Sequence, residues 1–255
     1  TTIVGLYSNY ALIITNLTAI LMYFSQAMMT SMGNFGVGAD VDKKELVFRS
    51  SMLVYAGIAA FATSCVVTMM NDFMMVWLRD EQYLLSNAFV WVLGFKLFVD
   101  IITSPNWTFR ESAGLFREVR LTMFSAAVIN LILSVILAKP FGLSGIIAAT
   151  SIAKLSTLFW YEPRTFYRKV FHKKPKRYWM YQFELISICL ITVLISAGFT
   201  KSIPCSFGGM FLKIGLSACC TVVVFTVLLR KKEEFKFCMN KVANVLKIKK
   251  YKWVK

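Results

Sequence analysis

Residues 121–161 read LTMFSAAVINLILSVILAKPFGLSGIIAATSIAKLSTLFWY, two apolar runs split only by Lys139-Pro140. Each run approaches the roughly 20 residues that an apolar helix needs to cross the hydrocarbon core of a bilayer. Proline removes a backbone donor and clashes with the preceding turn, so this pair predicts two helices joined in a tight hairpin. Further apolar stretches recur outward from there, at 4–32, 47–70, 83–104, 183–199 and 210–229, which makes seven candidate spans. The first carries no charge from Thr1 to Ala39. That length is still too short for two spans and a turn, and Gly33-Asn34-Phe35-Gly36-Val37-Gly38 reads as a loop.

With 57% hydrophobic and 16% charged residues and a mean hydropathy of +0.61, a soluble domain would hold more apolar surface than it could bury. The surplus must face lipid, and the expected fold is an all-α polytopic transmembrane bundle. The net charge of +16, from 29 basic and 13 acidic residues, does not point to nucleic acid, because nearly all the basic residues flank apolar segments. They alternate in number. The first, third and fifth gaps and the tail are rich in Lys and Arg, whereas the second, fourth and sixth offer Arg79, Lys139, and Lys201 with Lys213. Basic residues near a span resist translocation, so the N-terminal end is expected outside, with the C-terminus in the cytoplasm and the rich gaps on anionic lipid head groups. The chain divides into five spans (1–161), a basic cytoplasmic linker (162–182) with Tyr178, Trp179 and Tyr181 as interfacial anchors, two additional spans (183–229), and a basic tail (230–255). In that tail Phe235, Met239, Val242, Val245 and Leu246 share one face of a helix suited to the head-group layer.

Ionisable residues at membrane depth are costly, so each is a candidate for function. Lys96 and Asp100 lie four apart on the third span and hence on one helix face. They form a self-neutralising pair, or one that a ligand or proton splits. Lys154 lies inside the fifth span with no partner near it in sequence, and must face a cavity, pair with another helix or snorkel. Asn16, Gln26, Asn130 and Ser134 suit hydrogen bonds between helices or substrate contact. Small residues at 56–60 and 145–149 permit close helix packing. The six cysteines lack metal-ligand spacing and read as free thiols, and His172 reads as a solvated or head-group contact. No catalytic constellation or nucleotide-binding loop is present in the sequence, so neither enzymatic activity nor a cofactor is expected. The chain opens on Thr1 without a recognisable signal peptide.

Three groups of residues resemble a known family. Val4-Gly5-Leu6-Tyr7-Ser8-Asn9-Tyr10 with Ser31-Met32-Gly33-Asn34 is similar to the second helix of the C-terminal lobe in Wzx-type polysaccharide flippases, of the MATE-like exporter superfamily. Phe109-Arg110-Glu111-Ser112-Ala113-Gly114-Leu115-Phe116 resembles that family's cytoplasmic element between two later helices. Ile129-Asn130-Leu131-Ile132-Leu133-Ser134, then Phe141-Gly142-Leu143-Ser144-Gly145, then Trp160-Tyr161-Glu162-Pro163 keep its order and spacing. The resemblance covers about Val4 to Phe171. It implies a transporter of the bacterial cytoplasmic membrane that moves an undecaprenyl-pyrophosphate-linked oligosaccharide by alternating access for surface polysaccharide synthesis. On that template the chain is a truncated form, lacking the first lobe and one helix, which would be partners along with other polysaccharide-assembly proteins. Lys96, Lys154 and Asn130 become cavity candidates, and Asp100 a residue for ion or proton coupling. Arg110, Arg117 and Arg120 become candidates at the cytoplasmic mouth. Three alternatives stay open: a proton- or sodium-coupled multidrug antiporter of the same superfamily, an integral membrane enzyme of polysaccharide assembly, and a purely structural membrane scaffold, which is favoured where Lys96, Asp100 and Lys154 are packed against partners.

Overall fold

A computed structural model describes residues 2–35 and 40–245. Among them every long element is a helix: α1 (Thr2–Phe35), α2 (Val41–Leu78), α3 (Asn87–Ser112), α4 (Phe116–Ser156), α5 (Leu158–Phe166), α6 (Lys176–Thr200), α7 (Phe207–Leu229) and α8 (Glu233–Val245). A π-helical turn, Tyr167–Phe171, follows α5. Six helical stretches among the described residues are long and apolar enough to cross a membrane. One of these, Phe116–Phe171, is 56 residues long, about twice what a single crossing needs.

That stretch is folded back on itself. Leu137 and Gly145 would lie about 12 Å apart along a straight helix, yet a Cβ placed on Gly145 would stand 2.1 Å from the Leu137 carbonyl oxygen. Gly142 makes the reversal with φ 56° and ψ −134°, a conformation that side chains other than hydrogen rarely tolerate. The predicted hairpin is therefore present. Its pivot is Gly142, whereas helical geometry continues through Pro140, because the proline sits where the first limb is already ending and its missing N–H is little felt.

The remaining helices group around α2, which packs on α3, α6, α7 and α8, while α1 and α4 lie against α3. Ala56, Ala59 and Ala60 are fully buried and let the neighbouring backbones approach closely. The additional pair α6 and α7 seats here, with the Cys189 thiol donating to the Ala56 carbonyl at 3.3 Å. At one end of the bundle Phe48, Phe109, Phe166, Tyr167, Phe171 and Tyr178 interlock, Phe48 lying 4.8 Å from Phe166 and 5.0 Å from Phe109 between ring centroids. Much of the outer surface is apolar, including Leu121, Phe124, Leu131, Leu194 and Val222, as a helical bundle embedded in a membrane requires.

The basic connections gather at the aromatic end. Lys173 donates to Asp42 at 2.5 Å and to Glu45 at 2.7 Å, and these bonds hold its ammonium above the ordinary lysine range. Arg49 meets Glu234 at 2.8 Å, Lys232 meets Glu184 at 2.9 Å, and Lys169 lies 3.8 Å from Glu118. Residues from the first, third and fifth gaps and the tail thus interlock across chain separations of up to 185 positions. At the opposite end Tyr10 donates to Asn71 Oδ1 at 2.7 Å and accepts from the Leu85 N–H at 3.0 Å. There Lys213 of α7 also pairs with Asp72 of α2.

Several element ends differ from expectation. Helix α1 continues through Gly33-Asn34 to Phe35, and the rest of the anticipated loop, Gly36 to Gly38, lies outside the described residues. Helix α2 extends from Val41 to Leu78 rather than 47–70, since Asn71 and Asp72 find partners on neighbouring helices instead of ending the span. Helix α3 carries Pro105 inside it and runs on to Ser112, and α6 begins at Lys176. Within the tail, α8 turns Phe235 and Cys238 toward the core and leaves Met239 and Val242 exposed. Leu246 and the basic residues after it lie outside the described residues.

Candidate functional site

Asp100 stands at the centre of α3 and receives two ammonium groups. Lys96, one turn earlier on the same helix, donates to Oδ2 at 2.8 Å. Lys154, from the second limb of α4, donates to Oδ1 at 2.7 Å. The hairpin brings Lys154 across 54 positions of chain to this carboxylate. Two lysines and one aspartate give the cluster a formal charge of +1, while the wider group that includes Arg110, Glu111 and Glu162 is formally balanced.

About 15 Å further along α3, by helical rise, Arg110 donates to Glu162 of α5 at 2.9 Å and to Glu111 at 3.2 Å. Both members of the first pair are buried, with side chains 3% and 6% exposed. A cavity of about 340 Å³ runs between the two ion clusters. Asp100, Lys154, Arg110 and Glu162 border it, and Thr18 and Ser25 of α1 face it from the other side. A polar floor within an apolar bundle gives this cavity the means to hold a charged group away from lipid. Lys154 is the cation whose side chain borders the cavity while remaining partly exposed, so an incoming anion could take its ammonium in exchange for Asp100.

The sequence-predicted residues divide accordingly. Lys154 and Asp100 reach the cavity, and Lys96 sits behind Asp100 without bordering it. Asn130 lies on the first limb of α4, where its side-chain oxygen accepts from Ser134 at 3.4 Å, away from the cavity. Arg110 is buried inside the bundle rather than at a solvent-facing mouth. Arg117 and Arg120 are exposed and make no ion pair among the described residues. Glu162 and the Asp72–Lys213 pair were not singled out from sequence. The signals for Glu162 were its place in the Trp160-Tyr161-Glu162-Pro163 motif and a carboxylate closing an apolar run, beside Pro163.

Compared with protein-family models, with curated proteins and with solved structures, the chain gives no match.

Proposed function

We propose that this chain forms the C-terminal part of a flippase that carries an undecaprenyl-pyrophosphate-linked oligosaccharide across the bacterial cytoplasmic membrane. In this reading α4 contributes two crossings, the chain spans the bilayer seven times, and its basic end with the C-terminus faces the cytoplasm. The family resemblance over Val4 to Phe171 supports the reading. The observation that carries it is the cation-rich cluster of Lys96, Asp100 and Lys154 beside a cavity within the bundle. A pyrophosphate needs cationic walls at membrane depth, and its polyprenyl tail can stay in lipid while the head group crosses. Lys154 then serves as the group that exchanges Asp100 for the pyrophosphate, and Lys96 keeps the released carboxylate neutralised. A multidrug antiporter would need a carboxylate open to a cationic drug, whereas two lysines already occupy Asp100.

The test is export of the lipid-linked oligosaccharide in cells carrying the full-length gene, with Lys154→Ala and Lys96→Ala compared with wild type at matched membrane levels. The reading expects strongly reduced export for Lys154→Ala. Unchanged export in both variants would remove these residues from the transport path.

A further inference from the structure

A second cavity, of about 380 Å³, opens at the basic end between the start of α2, the start of α6 and the turn from α7 to α8. Arg49 and Tyr181 form its floor, and Arg177, Lys231 and Lys232 form its rim. We propose that this cavity binds a phosphate-bearing anion, independently of the transport site.

Three observations converge on that assignment. First, the floor holds donors without acceptors: Arg49 and Tyr181 are each 5% exposed, and neither the Arg49 Nε–H nor the Tyr181 hydroxyl has a hydrogen-bond partner among the described residues. A buried donor left unsatisfied costs about 1–3 kcal/mol; both atoms are closed to solvent in this packing, so an anion relieves that penalty by reaching them as Glu233 moves aside. Second, two guanidinium groups converge on one carboxylate. Arg49 Nη2 and Arg177 Nη2 each lie 3.8 Å from the same oxygen of Glu233, so they are no further apart than twice that distance. Contacts of this length are looser than charge-assisted hydrogen bonds, and Glu233 is 72% exposed. It occupies the place of an anion without binding tightly. A phosphate, with its several oxygens, can bridge both guanidiniums where one carboxylate oxygen falls short. Third, the charge balance favours an anion. Glu234 is committed to Arg49 and Glu184 to Lys232, whereas Lys231 pairs with no carboxylate among the described residues. Once Glu233 swings out to solvent, Arg177 and Lys231 are uncompensated.

The shared chemistry is a phosphate group, supplied either by the head group of an anionic phospholipid or by free phosphate. The cavity sits where the apolar helices end, at the level a phospholipid head group would occupy. Two probes distinguish the sources: the intact chain in phosphatidylcholine nanodiscs with and without phosphatidylglycerol, bound lipid being counted by native mass spectrometry, and radiolabelled inorganic phosphate offered to the same chain in neutral detergent. Arg177→Gln and Tyr181→Phe should each weaken binding by about tenfold or more, the loss of one charge-assisted or buried hydrogen bond. Glu233→Gln should strengthen it by removing the competing carboxylate. Arg177 and Glu233 are exposed enough that their variants fold, and Tyr181→Phe should leave the unliganded chain at least as stable, because the hydroxyl it removes bonds to nothing there. This pattern with phosphatidylglycerol assigns the site to a lipid head group, and the same pattern with inorganic phosphate assigns it to a soluble anion. Failure to bind either probe, or binding that Arg177→Gln does not weaken or Glu233→Gln does not strengthen, overturns the proposal.

Discussion

Replacing Arg110 with methionine should destabilise the bundle more than any loss of packing there would. The guanidinium donates to Glu162 at 2.9 Å, with side chains 3% and 6% exposed, so the substitution leaves a largely buried carboxylate at the cavity wall without its cation. The nearby cation Lys154 borders the same cavity but is already bonded to Asp100 at 2.7 Å. Glu111, the other partner of Arg110, has a partly exposed side chain and can turn to solvent. Breaking a buried pair by removing one partner costs about 3–5 kcal/mol. For a chain of this size that corresponds to a fall in Tm of roughly 6–20 °C, measurable by thermal unfolding of the detergent-solubilised protein. The double variant Arg110→Met with Glu162→Met removes both charges and should recover most of the loss, because an apolar pair of similar volume costs little in place of a buried ion pair. A single variant within about 2 °C of wild type, by the same scaling, would refute the reasoning. So would a double variant as unstable as the single.

Gly142→Ala should destabilise the hairpin by about 1–3 kcal/mol, because φ 56° with ψ −134° lies in a region that a Cβ rarely tolerates; lowered thermal stability at unchanged oligomeric state is the expected readout. Cys205 is exposed, yet partial desolvation of its thiol and then the neighbouring Asp72 carboxylate raise its pKa above the ordinary value. Its alkylation by a maleimide should therefore be slow at neutral pH and accelerate as the pH rises into the alkaline range, while fully buried Cys189 stays unreacted until the bundle is denatured; equal rates at the two thiols would contradict the packing of α6 on α2.

How far the sequence discloses this structure depends on the distance over which each feature is encoded. The hairpin was legible because its signal is local: two apolar runs meet at Lys139-Pro140, two residues before Gly142, where the chain actually reverses. The Lys96–Asp100 contact was legible for the same reason, four residues being one helical turn. Lys154 was visible as an ionisable group at depth, yet its partner was not, since only the fold brings it 54 positions to Asp100. Arg110 shows the limit more sharply. Beside Arg117 and Arg120 it looked like one of three topology markers, and the carboxylate that buries it stands 52 residues away. Asp72 misled in the other direction, since a charged residue after an apolar run resembles a span's end until Lys213 arrives from α7 to neutralise it.

Alternation itself is the premise most open to direct measurement. Lys139 lies in the turn region of the α4 hairpin, far along that helix from the basic end, and Lys174 lies between the π-helical turn and α6 at that basic end; both are exposed. Intact cells expressing the protein, treated with a membrane-impermeant amine reagent and read out by peptide mass spectrometry, should carry label on Lys139 and gain it on Lys174 only after permeabilisation. Label on Lys174 in intact cells with Lys139 protected would contradict the account.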